Sequence, residues 1–343
     1  MIHGGHDSIY LTNYASSFTK AVEIDYPLKS SESIATILGS CNGIYLIGTY
    51  SKSVRQWGPY TENRNQYTFE AMCLWNPATR EYKQLPSVLL TIPTLRLSCK
   101  RVVYGLGYDA LTDDFKVIRI LYFLHYLDNA INTHRFESEV SVYSSRMNSG
   151  NRIQDIPYMI LNYVTAWCLS TGLYVNGTIH WLGRLAVQSG IPPFHVVCFD
   201  IANEEFREME GPDLGITSYA SSCITFGLFE ECLCIQNICL GSHVDVFVMK
   251  EYGVKESWSK MFSIVEPQGL DVVTTFCKVL CITNGGKLLG KWNGEDVSLY
   301  DVEEGKHVPV EVHGLPKRIA RRFRIDYYVE SLLSLESGIF VGC

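Results

Sequence analysis

The feature that most constrains the fold is a pair of β-hairpins encoded in residues 172–210. In the first hairpin, two short apolar runs flank Asn176-Gly177, a dipeptide that supplies the two positive-φ positions of a type I′ turn. In the second, residues 195–201 and 205–209 flank a short polar stretch. Four strands in two successive hairpins predict one small antiparallel sheet, which is the repeating unit of this chain.

Copies of the second hairpin recur along the sequence. Each has an apolar run, an Asp or Asn, a polar turn and then charged and aromatic residues in alternation. They occupy residues 73–86, 196–209, 246–262 and 297–312, with a weaker copy at 140–156. Repeats of roughly 40–50 residues with four strands each are typical of β-propellers of the kelch or WD type.

Copies of the first hairpin precede these segments and give five complete sheets, at 37–48, 104–120, 173–182, 225–238 and 280–292. A sixth sheet can be assembled from both ends of the chain, with residues 8–26 pairing with residues 327–335. Such closure removes the exposed strand edges that favour aggregation. The sequence therefore predicts an all-β, propeller-like ring of six four-stranded antiparallel blades in one domain, residues 1–343, with five or seven blades as alternatives.

Composition excludes several classes of function. The net charge of −7 disfavours nucleic acid as a partner, because phosphate binding requires a basic surface. No apolar run approaches the roughly 20 residues of a membrane span, and the N-terminus is too polar for a secretory signal. Many of the 12 cysteines fall on predicted strands, which indicates buried thiols in a reducing compartment, the cytoplasm or nucleus.

Three local patterns resemble catalytic or ligand-binding motifs, but each lacks the required context. Residues 39–43 fit a cysteine nucleophile elbow, yet a strand rather than a helix follows. Residues 285–291 fit a phosphate-binding loop, yet Trp292 replaces the magnesium-binding hydroxyl. Cys232, Cys234, Cys239 and His243 match no zinc spacing, and His180 beside Trp181 fits a buried structural histidine. We therefore expect no catalytic residue, no metal and no cofactor.

The connections between strands indicate where a partner could bind. In a four-stranded blade the first and third turns lie on one face, and these are short here, whereas the connections on the other face are long. Loops on a rigid scaffold often carry recognition, and two of the long connections, 49–70 and 122–138, are rich in residues common at interfaces. The candidate binding residues are Arg55, Trp57, Tyr60, Arg64, Tyr67, His125, Tyr126 and Arg135. The alternative is that these side chains pack only against their own loops.

Several segments resemble one protein family. The stretches LGSCNGIYLI, LWNPATREYKQLP, YGLGYDALTDDFKVIRI, VNGTIHWL, VVCFDIANEEFREM and YVESLLSL are similar to the F-box-associated domain of plant F-box proteins, including the F-box/kelch-repeat and S-locus types. The resemblance implies the non-catalytic, target-binding part of an SCF ubiquitin-protein ligase receptor. It also implies a Skp adaptor and a cullin as partners if an F-box lies upstream. Only seven residues precede Ser8, so we expect the F-box itself to be absent. The alternatives are a kelch-type interaction module outside ubiquitination and a propeller enzyme.

Overall fold

The computed structural model describes most of the chain. The described residues are 2–4, 8–12, 20–51, 69–89, 99–126, 134–160, 171–185, 194–215, 222–239, 242–265, 278–282, 286–292, 296–310, 312–315, 323–325 and 329–335. Within these ranges the regular structure is almost all β-strand, with two 3₁₀ turns at Ser87–Leu89 and Lys255–Ser257. No helix in them is long and apolar enough to cross a bilayer.

The chain divides into two compact units. The larger unit comprises Tyr26–Asn162, Ala166–Met209 and Val329–Cys343. The smaller unit comprises Met1–Asp25, Tyr163–Thr165 and Glu210–Tyr328.

Three antiparallel meanders of four strands make up the larger unit. The first sheet contains Ser33–Cys41, Ile44–Ser51, Ala71–Trp75 and Tyr82–Gln84. The second contains Cys99–Asp109, Asp114–Tyr126, His134–Ser144 and Ser149–Ile153. The third contains Gly172–Val175, Thr178–Leu185, His195–Asp200 and Glu205–Met209, and Tyr158–Ile160 pairs with Thr178–Leu185.

The first strands of these three sheets run parallel to one another and approach closely at glycines. Gly172 pairs in parallel with Gly39, and a parallel bridge joins Tyr104 to Thr171. A Cβ atom on Gly39 of the first sheet would lie 3.1 Å from the backbone nitrogen of Leu106 in the second sheet. The glycines of the first strands therefore provide the space that neighbouring sheets need to pack together.

Two clusters of buried side chains form the core of the larger unit. One cluster lies around Leu46, Leu74 and Leu106 and includes Leu333 and Leu335 from the end of the chain. The other lies around Ile118, Trp181 and Phe199. Successive residues of a strand point to opposite faces of its sheet, and apolar side chains from both faces belong to these clusters. This explains the near-continuous burial of strands such as Ile44–Ser51.

Three further four-stranded sheets make up the smaller unit. The fourth sheet contains Ser222–Phe229, Cys232–Cys239, His243–Met249 and Trp258–Val265. The fifth contains Lys278–Ile282, Leu288–Trp292, Asp296–Asp301 and Lys306–Pro309. The terminal sheet is ordered Phe323–Ile325, Ile2–Gly4, Ile9–Thr12 and Ala21–Ile24.

The described residues thus form six four-stranded sets. Four are separate sheets, and the first and third sets join into one nine-stranded sheet through the short parallel pairing of Gly39 with Gly172. The prediction of an all-β chain built from four-stranded antiparallel sheets is confirmed.

The turns follow the sequence signals. Asn42 and Gly43 both have positive φ, 48° and 78°, as do Asn176 and Gly177, 49° and 72°. In the first, third and fifth sheets, an Asn or Asp lies where the third strand ends. Its side-chain oxygen accepts hydrogen bonds from the backbone amides two and three residues later. The residues that do this are Asn76, Asp200 and Asp301. The Asp or Asn that recurs in the sequence is therefore a turn cap.

Both ends of the chain contribute to the terminal sheet, but the C-terminal strand in it is Phe323–Ile325, which pairs with Ile2–Gly4. Residues 329–335, called the C-terminal segment below, form no named strand and pack on the first sheet. Leu333 and Leu335 enter the core there, with 3% and 8% of their surface exposed. The alternation in this segment therefore reflects an extended chain lying on a sheet.

Candidate functional site

The predicted binding residues of the first long connection lie outside the described residues. This holds for Arg55, Trp57, Tyr60, Arg64 and Tyr67, which fall between Ser51 and Phe69. They remain a prediction.

The other three candidates lie on a hairpin of the second sheet. The prediction of a loop over residues 122–138 is wrong for most of this stretch, because strand Asp114–Tyr126 and strand His134–Ser144 extend into it. Their register places His125 opposite Arg135, and Tyr126 opposite His134. Residues 117–124 are mostly apolar, and they extend the pairing between the two strands beyond residue 120, where the sequence predicted the strand to end. The structure therefore brings His125, Tyr126 and Arg135 together at one end of one hairpin.

The motif at residues 39–43 is a hairpin and has no nucleophile. Cys41 ends strand Ser33–Cys41, and Ile44 begins the next strand directly after the Asn42-Gly43 turn. Cys41 is 4% exposed, and burial raises the pKa of its thiol well above the ordinary value, although a backbone hydrogen bond at Tyr108 opposes this. A neutral, enclosed thiol cannot act as a nucleophile.

The cysteines near residue 235 are also structural. Cys232 and Cys239 begin and end the same strand, so about 3.3 Å per residue separates them by roughly 23 Å. Between them, Cys234 points into the core, and burial raises its pKa to about 12. Among the described residues no group of three or more His, Cys, Asp or Glu side chains could hold a metal ion.

His180 lies in the core, as the sequence indicated. Its surface is 0% exposed, and its Nδ1 lies 3.1 Å from the carbonyl oxygen of Leu173 on the adjacent strand. Burial lowers the pKa of His180 to about 4, so the ring is neutral near pH 7. This histidine supports the third sheet and has no access to a substrate.

Lys116 carries a buried charge that the sequence analysis did not single out. Its Nζ lies 3.1 Å from Asp109 Oδ2 and 2.8 Å from Glu204 Oε1, and it donates to the carbonyl oxygen of Ile201 at 3.0 Å. The lysine therefore joins a turn of the second sheet to a turn of the third. Every donor is used within the protein, which indicates a structural role.

The fourth sheet carries a pocket that the sequence analysis also missed. It has a volume of about 260 Å³ and lies where the chain after Glu210 passes the turn between strands His243–Met249 and Trp258–Val265. It is lined by Gly211, Pro212, Asp213, Phe247, Lys255, Glu256 and Trp258. Phe247, Lys255, Glu256 and Trp258 belong to the hairpin copy at 246–262, whereas Gly211, Pro212 and Asp213 follow the third sheet. No local pattern shows that these two segments meet.

Two contacts to Glu210 organise this pocket. Trp258 donates from its indole nitrogen to the carbonyl oxygen of Glu210 at 3.1 Å, and the ammonium group of Lys255 forms an ion pair with the carboxylate of Glu210. Trp258 and Phe247 are half-buried, and Asp213 and Glu256 are exposed. The pocket therefore combines fixed aromatic surfaces with an acidic rim.

Comparison with known families identifies the fold. A family model described as "F-box associated beta propeller domain" matches residues 16–335. The chain belongs to this family. The match covers all six four-stranded sets except strands Ile2–Gly4 and Ile9–Thr12 of the terminal sheet, and it agrees with the resemblance that the sequence motifs carry.

Curated relatives with similar sequences are F-box proteins of Arabidopsis thaliana. F-box protein CPR1 is 28% identical over 79% of this chain and 64% of its own length. F-box protein At4g22390 is 26% identical over 82% of this chain and 65% of its own length. F-box/kelch-repeat protein At3g23880 is 31% identical over 70% of this chain and 59% of its own length. The chain thus matches less than two thirds of each of these proteins.

Solved structures give weaker matches. A Trypanosoma rangeli sialidase is 12% identical, covering 92% of this chain and 53% of the sialidase, with a TM-score of 0.45. The β-propeller domain of the Trilobed protease from Pyrococcus furiosus is 11% identical, covering 81% of this chain and 85% of that domain, with a TM-score of 0.36.

Proposed function

We propose that this chain is the target-recognition domain of an F-box protein that serves as substrate receptor of an SCF ubiquitin-protein ligase. The observation that carries the proposal is the family match over residues 16–335, together with relatives that are named as F-box proteins. The chain contributes binding of a protein target, and the ubiquitin-transfer chemistry belongs to other subunits.

The target binds through the long connections between strands. The short turns are occupied by internal hydrogen bonds, such as those that Asp200 and Asp301 accept, whereas the long connections leave room for varied side chains. The residues proposed to contact the target are Arg55, Trp57, Tyr60, Arg64 and Tyr67 of the first long connection. His125, Tyr126 and Arg135, at the end of the paired strands that flank the second connection, complete the proposed set.

A non-catalytic role fits the chemistry of the described residues. The buried Cys41 and His180 are held neutral inside the core, and Lys116 is fully engaged by Asp109, Ile201 and Glu204. Catalysis needs a titratable group that reaches a substrate, and these groups do not.

A Skp adaptor and a cullin are the further partners, reached through an F-box of the kind named in the relatives. Residues 1–343 act as one recognition domain, and the pairing of Ile2–Gly4 with Phe323–Ile325 supports this view because it ties both ends of the chain into one sheet. The complex works in the cytoplasm or the nucleus.

The test joins the chain to the F-box segment of F-box protein CPR1 and assembles the fusion with a Skp adaptor, a cullin and the ubiquitin-transfer enzymes. We expect the assembly to ubiquitinate a plant protein that the chain alone retains from a tissue extract. The F-box segment without the chain is the control and should leave that protein unmodified.

Two outcomes would contradict the proposal. If the retained protein is never modified by the assembled ligase, the chain is a kelch-type interaction module outside ubiquitination. If the chain alone converts a small-molecule or glycan substrate, it is an enzyme.

A further inference from the structure

We propose that the pocket at Trp258 binds a basic side chain, arginine or lysine, presented by an extended segment of the target protein. The pocket is the one lined by Gly211, Pro212, Asp213, Phe247, Lys255, Glu256 and Trp258. The inference relies on the proposed function only for the partner being a protein, and the pocket can be tested on this chain alone.

The size of the pocket fits one side chain. Its volume of about 260 Å³ is below the roughly 300–1,000 Å³ of pockets that enclose a small-molecule ligand. Phe247 and Trp258 lie on neighbouring strands, and the register pairs Trp258 with Met249, two residues from Phe247. The two rings therefore lie near each other and offer apolar surface to the methylene stem of a long side chain.

The aromatic surface is fixed before any ligand arrives. The hydrogen bond from the Trp258 indole to Glu210 holds one edge of the ring, and Ser257 before it is held by hydrogen bonds to Glu251 and Val254. A side chain that is already ordered loses little conformational entropy on binding. A fixed Trp is also well suited to stack against a cation, which is attracted to the face of the ring.

The charge of the rim selects a cation. Asp213, Lys255 and Glu256 line the pocket, and Glu210 forms an ion pair with Lys255. These three carboxylates and one ammonium group have a net charge of −2. The hydrogen bond and charge of Glu210, with smaller contributions from Glu256 and Asp213, raise the pKa of Lys255. Lys255 is thereby occupied by Glu210, and the other two carboxylates of the rim are left to attract a second cation.

The orientation of Asp213 supports the same reading. Its Oδ1 accepts the backbone amide of Gly215 at 3.0 Å, which holds the carboxylate at the edge of the pocket. An arginine whose guanidinium stacks on Trp258 can donate to Asp213 or Glu256 at the same time. An acidic ligand would be repelled by these carboxylates, and an apolar ligand would gain nothing from them.

The first experiment measures binding of a capped pentapeptide, Gly-Gly-Arg-Gly-Gly, by isothermal titration calorimetry. Its matched control replaces arginine by citrulline, which has nearly the same shape and no charge. We expect the arginine peptide to bind at least about fivefold more tightly, and its affinity to fall as salt rises. Equal affinities, or tighter binding of a glutamate peptide, would overturn the proposal. Equal binding of spermidine would show that the pocket takes a free cation rather than a peptide.

The second experiment locates the site with variants. Asp213→Asn and Glu256→Gln should each weaken the arginine peptide about two- to fivefold, the range of an exposed ion pair. Phe247→Leu and Trp258→Leu should weaken it by a similar factor through loss of ring surface. Glu303→Gln removes an exposed carboxylate from a turn of the fifth sheet and should change nothing.

The outcomes are separable from those of the proposed function. Melting curves identify any variant that fails to fold, and the two charge variants keep the size of the side chain. If they bind the arginine peptide as tightly as the unchanged chain, the pocket is not the site. If the assembled ligase does not ubiquitinate the retained protein while the chain still binds the arginine peptide, the proposed function is contradicted and the pocket proposal is not.

Discussion

The side-chain nitrogen of Asn76 donates a hydrogen bond of 2.8 Å to the carbonyl oxygen of Leu333, 257 residues later in the chain. The same nitrogen donates to the carbonyl oxygen of Ser331 at 2.9 Å, while Asn76 Oδ1 accepts the amides of Ala78 and Thr79. One buried side chain thus caps a turn and anchors the C-terminal segment. Only an amide can do both, because a carboxylate has no donor.

Replacing Asn76 by aspartate keeps the turn cap and removes the anchor. The new carboxylate would face two carbonyl oxygens without a proton to share, and we expect a loss of about 2–4 kcal/mol in the free energy of unfolding. Asp200→Asn, at the equivalent turn of the third sheet, is the control and should cost less than about 1 kcal/mol. Urea denaturation measures both, and equal losses would show that the anchor is unimportant.

Leu333 and Leu332 give a direct test of how the C-terminal segment packs. Leu333 is 3% exposed and lies in the core of the larger unit, whereas Leu332 is 41% exposed. We expect Leu333→Ala to lower the free energy of unfolding by about 2–5 kcal/mol, through lost burial and the cavity left behind. Leu332→Ala should change it by less than about 1 kcal/mol. Similar values for the two variants would contradict the packing described for this segment.

Much of the fold could be predicted because its signals are local. Asn176-Gly177 between two apolar runs dictates a tight hairpin, and φ values of 49° and 72° bear this out. The Asp that ends an apolar run at Asp200 or Asp301 accepts amides within its own turn. Each of these signals depends on neighbours in sequence, so one chain suffices to detect it.

The rest depends on contacts between distant residues. The residue alternation in the C-terminal segment predicted a strand of the terminal sheet. Instead, hydrogen bonds from Asn76 and the burial of Leu333 hold this segment on the first sheet. The pocket brings Asp213 next to Trp258, which begins the last strand of the fourth sheet. Nothing in the sequence around either residue encodes the presence of the other.

Gly105 permits the close approach of the second and third sheets. A Cβ atom there would lie 2.6 Å from a ring carbon of Trp181, whose indole donates to the carbonyl oxygen of Tyr104 at 3.4 Å. Gly105→Ala should therefore cost about 1–3 kcal/mol or more, as overpacking does. Gly227→Ala is the matched control, since Gly227 also lies in a strand and no atom lies within 4 Å of its added Cβ. Calorimetric melting should show the loss only for Gly105→Ala.

Protonation of Asp109 should make the free energy of unfolding depend on pH in the acid range. Burial by itself would raise the pKa of Asp109, but hydrogen bonds from Thr112, Lys116 and the Leu111 amide outweigh it and lower the pKa. The folded pKa is below the unfolded value of 3.8, so the stabilisation is present above about pH 4 and is lost as pH falls through the folded pKa. The unchanged chain should lose more free energy of unfolding between pH 5 and pH 3 than Asp109→Asn does. Identical pH profiles would contradict this.

The partner of Asp109 provides a companion test near pH 7. Lys116→Met leaves two carboxylates without their cation, one of them only 2% exposed, and should cost about 3–5 kcal/mol. Glu204→Gln is the control, because Glu204 is 36% exposed and its amide oxygen still accepts from Lys116. That variant should cost about 1 kcal/mol or less.

The two Asn-Gly turns allow a comparison in which only the surroundings differ. Gly43 and Gly177 have similar φ values, 78° and 72°, so alanine at either position takes a left-handed conformation that costs about 1–2 kcal/mol. A Cβ on Gly177 meets nothing within 4 Å, whereas one on Gly43 would lie 2.4 Å from Ser331 Cβ and 2.8 Å from the Val329 carbonyl oxygen. Gly43→Ala must therefore also displace the C-terminal segment from the first sheet. We expect it to lower the urea midpoint clearly more than Gly177→Ala, and to expose residues 329–335 to proteolysis. Equal midpoints and equal resistance to protease would show that the segment does not rest on this turn.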